Sequence, residues 1–192
     1  RIASYSDYSG SSSLPNVYTF EYGADNKVKV SLSGSSTPIY AWTNSSGQFT
    51  KTEGAFPYRT MDLQFYSDGK FKGWEGAISD TAVSPPKGSL AIIYDGNNLK
   101  SMTYNVINSP TPSNSTQYDF EYSASDTRVY KAIPFQIFYN LDQLAWMVPA
   151  INGSRMPSKM TVSYKDQDGN PIGTPDVYSY SVDLAGTASD GK

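Results

Sequence analysis

The chain has 192 residues and a formal net charge of −3, so it is long enough for one ordinary domain, and it has no run of Lys or Arg resembling the basic stripe that a phosphate backbone needs. It contains no Cys and no His, which excludes disulfides, thiolate chemistry, the commonest metal ligand and the usual general base. No apolar stretch reaches the ~20 residues of a membrane-spanning helix, so a soluble chain with no nucleic-acid partner is expected.

Aromatic residues make up 14% of the chain and Tyr alone occurs 16 times, with Gly, Pro, Ser, Thr, Asn and Asp between the apolar positions. Aromatics suit a pleated, half-buried surface and the small polar residues suit turns, so strands and hairpins are expected throughout. In "VYTFEY" (17–22), Tyr18, Phe20 and Tyr22 share one face of a period-2 strand. After "GADNK", Val28, Val30 and Leu32 share one face of the next strand. The two make a hairpin.

"AWTNSSGQ" follows, where Trp42 stands beside a turn with few apolar neighbours. "MDLQFYSDGKFKGW" aligns Met61, Leu63 and Phe65, turns at Asp68-Gly69, and continues with Phe71 and Trp74. "SLAIIYDGNNLKSMTYNV" is read as a hairpin around Asp95-Gly96, with Leu90, Ile92 and Tyr94 facing Lys100, Met102 and Tyr104 across a loop of about five residues. The loop "NSPTPSNST" leads into "QYDFEY" (117–122), the second copy of the aromatic hexamer.

The exception to period-2 alternation is 133–149, where Leu141, Leu144, Ala145 and Val148 follow helical spacing, Asn140 is a candidate cap and Pro149 a stop. The spacing predicts one short helix near 138–148. Met160, Val162 and Tyr164 then alternate, "KDQDGNPIGTP" turns, and "VYSYSV" (177–182) is the third copy of the hexamer. The copies lie 100 and then 60 residues apart, which argues against a solenoid or propeller of fixed period. The expected fold is all-β and mainly antiparallel, a single domain over 1–192: a twisted, curved meander of hairpins around the short helix, with two stacked sheets as the alternative.

The stretch "RIASYSDYSGSSSLPNVYTFEYGADNKVKV" resembles the strand, serine-rich turn and strand pair of Bacteroidetes envelope lipoproteins of the DUF4595-like group. "SRMPSKMTVSYKDQDGNPIGTPDVYSYSV" is similar to that group's C-terminal module, and Tyr118 to Phe135 to its middle. The chain departs from the group's Asp-Gly turns at Ala24-Asp25-Asn26, Ser125-Asp126 and Leu184-Ala185-Gly186. The chain opens at Arg1 without Met, so removal of an upstream segment is expected. The resemblance implies that this segment carried a lipidated cysteine, that the protein is exported to the outer membrane, cell surface or periplasm, and that a lipid anchor is its one membrane attachment. No catalytic residues carry over from the resemblance.

The functional expectation is a non-enzymatic binding or adhesion domain, monomeric and without a cofactor, whose partner is a glycan or a protein of the host or bacterial surface. Trp42, Tyr58 and Trp74 are its candidate ligand-binding residues, because aromatics in the Gly/Ser/Thr-rich region 40–76 have few apolar neighbours to bury them and suit a pyranose face. Trp146 is assigned to packing of the short helix. A glycan hydrolase remains as a rival through Glu53 and Glu75, and a structural assembly subunit as a third reading. Asp166, Asp168 and Asn170 alternate like the start of a Ca²⁺ loop, but Gly169 is fourth rather than sixth and Val177 stands twelfth, so a hairpin turn is expected and no metal site.

Overall fold

Period-2 alternation becomes strand almost wherever it occurs in the computed structural model of the chain, which describes residues 3–7, 16–54, 58–78, 87–107, 115–133 and 150–180. Within these residues the first hairpins are β1 (Ser4–Asp7), β2 (Asn16–Tyr22), β3 (Lys27–Leu32), β4 (Ile39–Thr43) and β5 (Phe49–Glu53). The longest strands follow: β6 (Tyr58–Phe65), β7 (Phe71–Ile78), β8 (Lys87–Asp95) and β9 (Asn98–Ile107). The series ends with β10 (Ser115–Glu121), β11 (Tyr130–Ile133), β12 (Ile151–Ser154), β13 (Lys159–Lys165) and β14 (Pro171–Ser179). Twelve of them form one antiparallel sheet in the order β1 to β10, then β13 and β14, and β11 pairs with β12 in a separate two-stranded sheet. The all-β, hairpin-by-hairpin expectation therefore holds, with one large sheet rather than two stacked ones. No helix occurs among the described residues, and the segment 138–148 assigned to one lies outside them.

Cross-strand registers place the apolar residues on one face of the large sheet, the inner face. Phe20 pairs with Val30 and Val30 with Ile39, while Val28, Ala41, Thr52, Met61, Gly76 and Gly88 follow one another from β3 to β8. Leu63, Trp74, Leu90 and Tyr104 form the next row, and Ile92, Met102, Tyr118 and Val162 the one after. Most of these side chains are buried, and the row Phe120, Met160, Tyr178 ends with Tyr178 half exposed because β14 is the sheet's edge. Burial of a side chain of this size contributes about 1.5 to 3 kcal/mol, so the inner face carries most of the stability.

Three hairpins share a device that simple alternation does not reveal. In β5, β7 and β9 the residue after the first inward one begins a β-bulge, so the inward pairs are Phe49 with Thr52, Phe71 with Trp74, and Leu99 with Met102. A bulge lets two residues face one, bends the strand and increases its twist. All three lie near the same end of the sheet, beside the turns at 44–48, 66–70 and 96–97. The β8–β9 turn is the two residues Gly96 and Asn97 rather than a five-residue loop, and the bulge places Leu99 inward opposite Tyr94 where Lys100 was expected. Burying Leu99 in place of an ammonium is the physical reason for that register.

Turn chemistry closes the hairpins. Asp25 and Asn26 both have φ of 56°, and the Lys27 N–H donates to the Ala24 carbonyl at 3.1 Å, the two-residue geometry that suits a right-handed strand pair. The turns 44–48, 66–70 and 166–170 share one pattern, in which the first residue's N–H donates to the fifth's carbonyl and a glycine N–H at the fourth position donates to the first's carbonyl. In the last of these the Asp166 carboxylate accepts from the Asp168 and Asn170 N–H groups at 2.9 and 2.8 Å, which makes "KDQDGN" a hairpin turn as expected.

The small β11–β12 sheet docks on the turn end of β9. Asn98 Oδ1 accepts from the Arg155 N–H at 2.9 Å and from the Ser154 hydroxyl at 3.3 Å, and Tyr122 donates its hydroxyl to the Leu99 carbonyl at 2.9 Å. Ile133 and Ile151 join the hydrophobic core from this sheet.

Thr52 is fully buried on the inner face between Ala41 and Met61, and among the described residues its hydroxyl has no hydrogen-bond partner. An unsatisfied buried hydroxyl costs about 1 to 3 kcal/mol, and valine has nearly the same shape. Thr52→Val is therefore expected to raise unfolding stability by about 1 to 2 kcal/mol in urea denaturation; a lower midpoint would mean that the hydroxyl does have a partner.

Candidate functional site

The outer face of β2 to β7 is a continuous polar and aromatic surface. Its registers align Glu21, Lys29, Tyr40, Glu53 and Thr60 in one row, and Lys27, Trp42, Lys51, Asp62 and Glu75 in the next. Tyr40 and Trp42 are two apart on β4 and so project together, with Lys27 on one neighbouring strand and Lys51 on the other. Lys27 Nζ lies 4.2 Å from the Tyr40 ring centroid and 5.2 Å from that of Trp42, and Lys51 Nζ lies 5.0 Å from Trp42. Contacts of this kind are worth about 0.5 to 1 kcal/mol each at an exposed site.

The lysines differ in their acidic partners. Lys29 pairs with Glu21 at 2.9 Å and Lys51 with Glu53 at 2.7 Å, and these carboxylates raise both ammonium pKa values. Lys27 has no carboxylate at ion-pair distance among the described residues.

A cleft of about 510 Å³ opens between the turn at 23–26 and the turn at 44–47. The Thr43 N–H and hydroxyl both donate to the Asn26 carbonyl, at 3.0 and 3.4 Å, so the two turns are clamped together at its base. The Asn44 side chain is committed to its own turn: Oδ1 accepts from the Ser46 and Gln48 N–H groups at 3.0 Å each, and the amide donates to Gln48 Oε1. The side chains of Asn26, Ser45 and Ser46 make no such bonds with the described residues, and with Lys27, Tyr22 and Phe49 they leave polar groups and two aromatic residues on the cleft wall.

The three aromatic residues expected to bind ligand do not come together. Trp74 is 1% exposed on the inner face, opposite Leu63 and Leu90, and is a core residue. The bulge at 72–73 turns it inward; the local sequence, sparse in apolar residues, gave no warning of that. Trp42 stands half-buried on the outer face, so the sheet separates the two indoles. Tyr58 lies in β6, and its side chain is outside the described residues. Trp146 is likewise outside them. Lys27, Tyr40 and Asn26 were missed as site residues; the signal was the Tyr-x-Trp alternation in β4, which places two aromatics beside the lysines of its neighbours.

Glu53 and Glu75 both lie on the outer face with β6 between them, Glu53 opposite Thr60 and Glu75 opposite Asp62. Two strand spacings and a two-residue offset separate their Cα atoms by about 12 Å. They point the same way from an open surface rather than across a cleft.

Two further clefts, of about 290 Å³ each, lie near the same end of the sheet. One contains Asp68 and Lys70, paired at 2.6 Å, and the other Glu21 and Lys29. Comparison with protein-family models, with curated proteins and with solved structures finds no match to this chain.

Proposed function

We propose that the chain is a non-enzymatic glycan-binding domain of the cell envelope, with its site at the cleft between the 23–26 and 44–47 turns and the Tyr40–Trp42 surface beside it. The observation that carries this reading is a half-buried indole next to a preformed cleft on whose wall the Asn26 amide and the Ser45 and Ser46 hydroxyls have no hydrogen-bond partner among the described residues. An aromatic face covers the apolar side of a pyranose, and amides and hydroxyls bond its ring substituents. The absence of His and Cys and the open placement of Glu53 and Glu75 favour binding over hydrolysis. The envelope location rests on the resemblance of the outer hairpins to envelope lipoproteins; recovery of the full-length protein in the cytosolic fraction of its source cells would overturn it.

An assembly subunit would show a regular free strand edge or a large apolar patch. Of the two edge strands, β1 is only four residues long, and β14 loses its register between Asp176 and Ile172, where Pro175 has no N–H to donate. Bulges and prolines of this kind blunt an edge against pairing.

The test is a glycan array probed with the wild-type domain and with Trp42→Ala. Loss of the indole is expected to weaken a bound glycan by about 1 to 3 kcal/mol, by analogy with base stacking on aromatic platforms, while leaving the fold intact. An array with no retained glycan, or unchanged affinity in the variant, would sink the assignment.

A further inference from the structure

We propose that the ligand of this cleft is an acidic saccharide, one carrying a carboxylate or a sulfate, and that Lys27 is the residue that selects for it. The inference rests on the glycan-binding reading and names its ligand class.

Charge sets this cleft apart from its neighbours. The chain has 18 acidic against 15 basic residues, yet no Asp or Glu lines the largest of the three clefts, whose wall carries Lys27. In each of the two smaller clefts a lysine is paired with a carboxylate that lines the same cleft, Lys70 with Asp68 and Lys29 with Glu21. Lys27 lines both the large cleft and the adjoining one that holds Glu21 and Lys29, but it makes no ion pair among the described residues; its ammonium lies against the rings of Tyr40 and Trp42, which orient it without neutralising it. Asp25, its neighbour in the turn, does not line the cleft.

An anionic group entering the cleft would accept a charge-assisted hydrogen bond from Lys27 Nζ, and such bonds are roughly twice as strong as neutral ones. The sugar hydroxyls would meet the Asn26 amide and the Ser45 and Ser46 hydroxyls, which have no internal partners among the described residues. A neutral sugar could use those same groups and would leave the ammonium unanswered. Because the clamp from Thr43 to Asn26 holds the two turns together, the polar groups are in place before the ligand arrives, and little ordering entropy opposes binding.

The test is an array of matched oligosaccharides, with each galacturonate, glucuronate or sulfated member printed beside its methyl-esterified or desulfated form. The wild-type domain is expected to prefer the acidic member of at least one pair by about tenfold. Lys27→Gln should erase that preference while retaining binding to the neutral form, and Lys27→Arg should restore it; thermal unfolding of each variant separates this from loss of the fold. Equal binding of acidic and neutral members by the wild type, or a preference that survives Lys27→Gln, would overturn the selectivity and leave the glycan-binding reading intact. If no oligosaccharide is retained, the glycan-binding reading fails and the selectivity fails with it.

Discussion

Trp74→Ala is expected to destabilise the domain by about 3 to 5 kcal/mol, a large share of the stability of a protein of this size. The indole is 1% exposed, lies opposite Leu63 on β6 and Leu90 on β8, and tilts against the Tyr104 ring at 6.0 Å between centroids. Two residues along β7, Gly76 faces Gly88, so those inner positions supply no side chain of their own. Filling the volume above them falls to large neighbours. Truncation would remove buried area and leave a cavity bordered by backbone that is held in the sheet and can relax only partly. Trp42→Ala is the matched control, because it removes the same side chain from the solvent-facing side and loses chiefly two lysine contacts. Urea denaturation of both variants decides the matter: equal losses would mean that the two indoles are not divided between an inner and an outer face.

The second large effect is expected at Gly73, directly before that indole. Its φ is +139°, and a Cβ added there would come within 1.8 Å of the Leu90 carbonyl oxygen and 2.8 Å of its carbon. The obstacle is the backbone of β8, so no side chain can swing away. Gly73→Ala has to displace β7 from β8 or straighten the bulge that aims Trp74 inward, and a loss of at least about 4 kcal/mol is expected. Gly69→Ala separates conformation from crowding. Gly69 also has positive φ, +84°, but the nearest atom to its added Cβ is the Gln48 side-chain amide nitrogen at 3.8 Å, so about 1 to 2 kcal/mol is expected there. If the two substitutions cost the same, the close approach of β7 to β8 is not what the glycine serves.

Both predictions concern a bulge, and bulges mark where legibility of the sequence ended. The hairpin of β2 and β3 could be read down to its register, since Tyr18, Phe20 and Tyr22 do face Leu32, Val30 and Val28. There the alternation is unbroken and the turn occupies the residues that tolerate positive φ. In β7 and β9 one extra residue shifts every later side chain to the other face. Leu99 replaced Lys100 on the inner side for that reason, and Trp74 became core although its stretch of sequence is poor in apolar residues. The candidate site was legible in one residue, Trp42. Its cleft is made by two turns that are separate in sequence and meet only because β3 pairs with β4.

The all-β class, the antiparallel hairpins and most of the inward-facing residues follow from local pattern, because side-chain alternation and turn propensity act over a few residues. Only the folded chain settles that β10 pairs with β13 while β11 and β12 form a sheet apart, that Trp42 and Trp74 stand on opposite faces, and that Lys27 lines two adjoining clefts with no ion pair among the described residues. Each of these depends on which distant backbone groups pair and which side chains then exclude water, and such free energies exist only between segments that the folded chain has brought together.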